Sequence, residues 1–283
     1  WDLTGQELQR IPLPRPNNVD VRQGVHVDSE VLDLSVATLR ENGGLRAFAV
    51  DPSSRLLSDI TADGGLEVPE VDDPYGLCLY SRPGDGALFA FVTSRSGDSA
   101  EAVHQYLLEG DGGGHVRGSF VRTLGVGAIG SLVEGLVADD VAGHLYAAEE
   151  NVAVHKFFAD PALGLDGLIA SFAIEDGISG DREGLALHAR SDGTGYILLS
   201  SQGNSSLKVY PREGSGGDLD SHPLILTVKT LGATSSDGID ATSVSFGASF
   251  PQGLVVKHHS PGRNFALFAW EDVAGGILAG CPP

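Results

Sequence analysis

The chain repeats a short motif five times, and this recurrence limits its fold more than any other feature. In each copy a small or aliphatic residue leads into an apolar stretch; the copies are Asn18-Val19-Asp20, Tyr75-Gly76-Leu77, Glu134-Gly135-Leu136, Glu183-Gly184-Leu185 and Asp237-Gly238-Ile239. They recur about every 50 to 60 residues, a period close to the length of a four-stranded β-propeller blade. We therefore predict an all-β propeller with about five blades represented, forming a single domain over residues 1–283.

Local patterns agree with this fold class. Short apolar runs at 45–50, 87–93, 196–200 and 253–257 are separated by clusters of Gly, Asp, Ser and Pro. Such runs bounded by turn-forming residues are typical of strands in all-β proteins. The only convincing helical pattern is a short one after Trp270, so we expect helices to be peripheral.

The charge balance excludes two classes of partner. The chain has 38 acidic and 18 basic residues, for a formal net charge of −20. This sign disfavours binding to nucleic acid or to an anionic membrane surface, and it favours divalent cations. No apolar run approaches the roughly 18 residues that a membrane-spanning helix needs. We therefore predict no nucleic-acid partner and no membrane partner.

The repeated openings predict a metal site. In a propeller the first strand of every blade lines the central channel, so residues at the strand starts should surround one mouth of that channel. Crowded carboxylates repel one another unless a cation is bound among them, and oxygen ligands from loops favour Ca²⁺. Asp181 lies two residues before Glu183, and at least one member of Glu149-Glu150 should also reach the mouth. The predicted metal ligands are Asp20, Glu134, Glu150, Asp181, Glu183 and Asp237.

Other polar residues suit an anionic ligand at the same mouth. Arg40 and Arg95 follow strands in the first two blades, and guanidinium groups bind phosphate oxygens through paired hydrogen bonds. Gln202 and Asn204 lie in a polar run, 200–206, whose amide groups could donate to ligand oxygens. Tyr75, which belongs to the one opening of the five that has no acidic residue, is either a core residue or a hydroxyl donor to the ligand.

Several common catalytic sites are missing from the sequence. The chain has no Gly-x-Ser-x-Gly motif and no phosphate-binding Gly-Lys-Ser/Thr loop. Neighbouring residues of a strand point to opposite faces, so His258 and His259 cannot both bind one metal ion from a regular strand, and we interpret them as surface residues. The two cysteines, Cys78 and Cys281, have neither zinc nor redox spacing; we predict that they could pair in an oxidising compartment and tie the C-terminus to the body.

Six segments, taken in order, resemble the β-propeller phytases. They are NNVDVR at 17–22, EGLVADD at 134–140, LYAAEE at 145–150, DREGL at 181–185, SSQGNSS at 200–206 and DGID at 237–240. The resemblance implies a six-bladed propeller and calcium-dependent hydrolysis of phytate (myo-inositol hexakisphosphate), bound as its calcium complex. It also implies that several calcium ions bind. It implies catalytic and calcium-binding roles for Glu134, Glu150, Asp181 and Glu183, a calcium-binding role for Asp237, and phosphate contacts for Arg40, Tyr75 and Arg95.

The resemblance has limits, and other functions stay open. The chain starts after a family segment with an Asp-Asp-Pro-Ala-Ile-Trp-like motif and a Lys-Lys pair, so we expect an N-terminally truncated propeller. Just before Asp237, where some relatives have another Asp, residues 232–236 are Gly-Ala-Thr-Ser-Ser. We expect a monomer that is secreted or periplasmic. The alternatives are a non-catalytic binding propeller with structural calcium and a lactonase-like calcium-dependent propeller.

Overall fold

The five repeated openings fall at the starts of five successive β-sheets. The structure, a computed structural model, describes residues 1–41 and 43–278. Within these residues the chain forms twenty strands in five sheets, with one α-helix and three short 3-10 helices. Each opening lies in, or directly before, the first strand of its sheet. Apart from a short fifth strand of the first sheet, which pairs with the third, strands that follow one another in the sequence are neighbours in their sheet, the arrangement of propeller blades.

The first compact unit comprises Trp1–Val133, Ala138–His144 and Phe158–Gly167 and contains the first two sheets. The first sheet has the strands β1 (Pro16–Val27), β2 (Glu30–Leu39), β3 (Gly44–Val50), β4 (Leu57–Asp59) and β5 (Leu66–Glu67). The second has β6 (Pro74–Ser81), β7 (Leu88–Ser94), β8 (Val103–Gly110) and β9 (Val116–Leu124). The 3-10 helices of this compact unit are Asp98–Glu101 and Pro161–Leu163. Leu34, Val36, Leu79 and Val92 are fully buried in one apolar core.

The second unit comprises Glu134–Val137, Leu145–Phe157 and Leu168–Pro283, of which the structure describes residues up to 278. The third sheet, mostly in this unit, has β10 (Val133–Asp139), β11 (His144–Glu149), β12 (Ala153–Phe158) and β13 (Ala170–Phe172). The fourth has β14 (Arg182–Ala189), β15 (Gly195–Ser201), β16 (Ser206–Pro211) and β17 (Leu226–Lys229). The fifth has β18 (Ile239–Thr242), β19 (Leu254–His259) and β20 (Asn264–Ala269), followed by α1 (Trp270–Leu278); a 3-10 helix spans Gly247–Ser249.

The predicted fold class is confirmed. The structure is almost entirely β, the five sheets correspond to five blades, and the α-helix begins at Trp270, where the sequence predicted one. Trp270 is buried because its ring stacks on His188, with 3.7 Å between ring centroids. A single domain over residues 1–283 stays a prediction.

Two further expectations concern membrane-spanning helices and the cysteine pair. None of the helices in the described part of the chain is long and apolar enough to span a membrane. Cys78 is buried in β6, and burial raises the pKa of its thiol well above the usual value. Cys281 lies outside the described residues, so the proposed Cys78–Cys281 pair stays a prediction.

Candidate functional site

Glycines in the repeated motif allow acidic strand starts of the second unit to approach each other closely. The N–H of Gly184, at the start of β14, donates to the carbonyl oxygen of Asp237 at 2.7 Å. A Cβ on Gly184 would lie 2.6 Å from that oxygen, and a Cβ on Gly135 would overlap the carbonyl oxygen of Glu183. Only glycine fits in such positions without moving the backbone. In this motif a glycine follows the acidic residue, and this glycine allows Glu134, Glu183 and Asp237 to come close together.

Glu183 lies at the centre of these carboxylates. Its side chain is buried, and its Oε2 has no hydrogen-bond partner. Burial is the main cause that raises its pKa to about 10; a hydrogen bond with Glu134 and the charges of Glu134, Asp237 and Glu150 raise it further. Each cause disfavours the ionised form, as expected for carboxylates crowded away from water. We call Glu134, Glu150, Glu183 and Asp237 the carboxylate cluster.

The structure separates the two members of Glu149-Glu150. The Oε2 of Glu149 is 2.7 Å from Nε2 of His155, whose Nδ1 is 2.9 Å from the hydroxyl of Ser171. Glu149 is therefore part of a buried structural network that joins β11, β12 and β13. Glu150 is the residue that acts electrostatically on Glu183, and its backbone carbonyl accepts the N–H of Arg182 at 2.8 Å.

Asp237 is held by polar groups that the sequence only partly indicated. The amide of Gln202 donates to its Oδ1 at 2.8 Å, and the hydroxyl of Ser260 donates to its Oδ2 at 3.2 Å. The Nδ1 of His258 lies 3.1 Å from the same Oδ2. The prediction that His258 and His259 are surface residues did not include this contact. The alternation of side chains along β19 was the available signal, since it turns His258 and His259 to different neighbours.

The other predicted residues of this unit have backbone or turn contacts. The carbonyl of Asp181 accepts the N–H of Gln202 at 3.2 Å, which ties the start of β14 to the 200–206 turn. Asn204 donates through Nδ2 to the carbonyl of Gly177 at 2.8 Å and accepts from the hydroxyl of Ser206 at 2.6 Å. The side chain of Asn204 therefore holds this turn. The ligand roles of Asp181 and Asn204 stay predictions.

The carboxylate cluster has the donor chemistry of a calcium site. Among the described residues, no group of three or more His, Cys, Asp or Glu is already arranged around one point as metal ligands. However, Glu183 has a buried oxygen without a partner, and the surrounding acidic groups are carboxylates. Hard oxygen donors of this kind suit Ca²⁺ better than zinc. The residues present therefore fit calcium in type and charge.

In the first unit, Asp20 forms an ion pair. Its Oδ2 is 2.9 Å from Arg22 and accepts the N–H of Leu79 at 2.7 Å. Arg22 also lies 2.9 Å from Oδ2 of Asp140, so two carboxylates share one guanidinium. The predicted role of Asp20 as a metal ligand stays a prediction.

The three predicted phosphate-binding residues meet in the first unit. The guanidinium of Arg95 lies 5.0 Å from the ring centroid of Tyr75, and that of Arg40 lies 5.8 Å from it. Both distances are in the range of cation–π contacts. Arg40 also donates to both carboxylate oxygens of Asp73, at 3.0 and 2.6 Å. Tyr75 itself is buried, and Asp73 is a member of this group that sequence analysis missed.

Comparisons with known proteins agree with these features. The chain is 32% identical to the 3-phytase of Bacillus subtilis (strain 168) over 284 residues, which cover 97% of this chain and 72% of that protein. The β-propeller domain of Cps50 (Swd1) from Myceliophteria thermophila is similar with a TM-score of 0.48 and 12% identity, over 83% of this chain and 66% of that one, just under two thirds of its length. That likeness is too distant to support any conclusion. The sequence model of the Phytase family matches residues 1–276, and the chain therefore belongs to the phytase family.

Proposed function

We propose that this chain releases phosphate from phytate in a calcium-dependent reaction. The observation that carries the proposal is the carboxylate cluster, in which the buried Glu183 has an unpartnered oxygen and its pKa is raised by the surrounding acids. Family membership supports phosphate-ester hydrolysis, and the name of the Bacillus relative supports phytate as the substrate.

The residues of the two units have different proposed tasks. Arg40 and Arg95 bind phosphate oxygens, since guanidinium groups offer paired donors to them, and the ring of Tyr75 and the carboxylate of Asp73 hold these arginines in place. In the second unit the carboxylate cluster would hold calcium, and the amide of Gln202 fixes the orientation of Asp237. Bound calcium would supply Lewis-acid activation of water and neutralisation of phosphate charge.

The first test is release of inorganic phosphate from phytate by the 283-residue chain. We expect release in millimolar calcium and none in excess chelator. Glu183→Gln removes a carboxyl group that would bind calcium and should abolish release, whereas Glu30→Gln, which changes an exposed glutamate of the β1–β2 hairpin, should not. Equal release with calcium and with chelator would contradict calcium dependence. No release in either condition would contradict the proposed activity and favour a binding propeller.

The location and oligomeric state belong to the same proposal. The resemblance supports secretion or a periplasmic location, and we propose a monomer. Fractionation of the source cells and size-exclusion chromatography with light scattering test these two points; a cytoplasmic pool or a dimer would contradict them.

A further inference from the structure

His188 and Glu271 bury three polar atoms at the end of β14 that is away from the carboxylate cluster. The Nδ1 of His188 and both side-chain oxygens of Glu271 are buried, and none of them has a hydrogen-bond partner among the described residues. His188 itself is only 2% exposed. It follows Glu183 by five residues along β14, a separation of roughly 15 Å. These atoms therefore lie apart from the proposed calcium site.

Ring stacking holds the two side chains in one region of the second unit. The rings of His188 and Trp270 are nearly parallel, with an interplanar angle of 13° and 3.7 Å between their centroids. Tyr196 stacks on Trp270 in turn, at 5.3 Å. Glu271 directly follows Trp270 in the first turn of α1, and its charge acts on His188. The stack fixes the plane of the imidazole, so its two nitrogens meet their partners at the ring edge.

The hydrogen bond of one ring nitrogen determines what the other can bind. The Nε2 of His188 is 3.2 Å from the carbonyl oxygen of Gln252, which can only accept, so Nε2 carries the proton. Burial is the main cause that lowers the pKa of His188. The Gln252 hydrogen bond and the charge of Glu271 oppose this shift, and the charge of Arg190 adds to it. The ring is therefore neutral at pH 7, and Nδ1 has a lone pair and no proton.

The three buried atoms are all electron-pair donors that need a positive partner. A bare imidazole nitrogen and two carboxylate oxygens accept hydrogen bonds or bind cations, and buried acceptors of this kind are normally satisfied. The guanidinium of Arg190 is 3.7 Å from the carboxylate of Asp192, which balances its charge. Histidines that bind metals usually donate their other ring N–H to a carboxylate or a backbone carbonyl, as His188 does to Gln252.

We propose that His188 and Glu271 bind a divalent transition-metal ion, best matched by Zn²⁺, and that this ion fastens α1 to the fourth sheet. An imidazole nitrogen with a carboxylate suits zinc, whereas calcium takes oxygen ligands. His188 is in β14 and Glu271 is in α1, so one ion would join two elements of the same unit. The ion would act on stability and not on phosphate release, which makes this site independent of the proposed function.

The test measures zinc binding by isothermal titration calorimetry in millimolar calcium, which fills sites made only of oxygen ligands. The parent chain is compared with His188→Gln and Glu271→Gln. Asp272→Asn is a matched control, because it removes an exposed acid from the same turn of α1, and His115→Gln removes an exposed histidine of the first unit. Thermal melting without metal checks that each variant is folded. Glu271→Gln keeps the shape of the side chain and adds an amide donor for Nδ1.

We expect the parent chain and both controls to bind zinc in the presence of calcium. His188→Gln and Glu271→Gln should each bind it at least about tenfold more weakly, since even the loss of an outer-shell partner weakens metal sites by 10- to 100-fold. At about 100 times its dissociation constant, zinc should raise the Tm of the parent chain by roughly 5 to 10 °C. The same zinc concentration should raise the Tm of the two site variants much less.

Trp270 provides a second readout, which is local to the proposed site. The chain has two tryptophans, Trp1 and Trp270, so Trp1→Phe leaves Trp270 as the only indole. Because this ring stacks on His188, paramagnetic Co²⁺ bound at Nδ1 should quench its fluorescence. Adding Glu271→Gln should remove most of this quenching, whereas adding Asp272→Asn should leave it unchanged.

Each outcome supports or overturns the inference. Equal zinc affinity of the parent chain and Glu271→Gln, or zinc binding that calcium abolishes, would overturn it. A parent chain that binds no zinc and melts below Glu271→Gln would overturn it as well, and would show that protons or water satisfy these atoms. If His188→Gln does not fold, the comparison of Glu271→Gln with Asp272→Asn decides. Zinc binding lost in Glu271→Gln supports the inference even in a chain that releases no phosphate, in which case only the proposed function fails.

Discussion

Replacing Glu183 by Gln should stabilise the metal-free protein at neutral pH, although it removes a proposed calcium ligand. In the folded chain, burial and the carboxyls of the cluster raise the pKa of Glu183 from 4.5 to about 10. Between these values the folded chain holds a proton that the unfolded chain has lost. The free energy of unfolding therefore falls as pH rises through this window.

The change in the free energy of unfolding follows from the difference between pH 7 and the ordinary carboxyl pKa of 4.5. Each pH unit above 4.5 costs the folded protein about 1.4 kcal/mol, for a total of about 3 kcal/mol at pH 7, as long as the folded pKa lies above 7. A Gln side chain does not titrate and avoids this cost. For a chain of this size we expect Tm to rise by roughly 6 to 12 °C in chelator at pH 7. At pH 4 the difference should vanish.

Calcium should narrow or remove the difference in stability between the two proteins. Binding to the folded state stabilises it by about 3 kcal/mol when calcium is present at about 100 times its dissociation constant. The parent chain should gain this stabilisation, and Glu183→Gln should gain less because it lacks one ligand charge. The assay is thermal or urea unfolding at pH 4 and pH 7, with chelator and with calcium. A variant less stable than the parent in chelator at pH 7, or a gain of equal size at pH 4, would refute the electrostatic reasoning.

Three further changes test the packing around these groups. Arg22→Met should destabilise the chain by about 3 to 5 kcal/mol in urea unfolding, because it leaves two aspartates without their shared guanidinium; a loss under 1 kcal/mol would contradict this. Burial lowers the pKa of Lys257 from 10.5 to about 8, so stability should rise with pH between these values, and Lys257→Met should remove that rise and add about 1 to 3 kcal/mol at pH 7; an unchanged pH profile would disprove it. Gly135→Ala should lower both stability and phosphate release, since its Cβ would overlap the carbonyl oxygen of Glu183; a variant with the parent's Tm and activity would show that the close approach is not needed.

Much of the fold could be read from the repeated motif, because a fixed period of strands and turns reflects local geometry. The motif located the first strand of each of the five sheets, and the apolar runs located β3, β7, β15 and β19. It also indicated which acids begin these strands, and the structure brings Glu134, Glu183 and Asp237 together. In the sequence these glycines were visible only as part of a repeated pattern. The reason that glycine is needed, which is close contact between neighbouring strand starts, became clear only from the tertiary structure.

The sequence could not predict which charged residue has which partner. Arg22 is 118 residues from Asp140, and Gln202 is 35 residues from Asp237, so no local pattern connects the members of either pair. Asp73 and His258 were missed for the same reason, since each contacts a residue brought near by sheet pairing or by loops. Conversely, Glu149 and Glu150 look equivalent in the sequence, and only their surroundings distinguish a structural carboxylate from a member of the cluster.

The sequence by itself determined the all-β blades, the acidic character and the membership of a family, because periodicity, composition and motif order are properties of the chain. The tertiary structure decided which carboxylates are neutralised by arginine, as Asp20 is by Arg22, and which are left crowded around Glu183. That difference depends on distance and burial in three dimensions. Electrostatic energies change steeply with both, and neither is encoded in the spacing of residues along the chain.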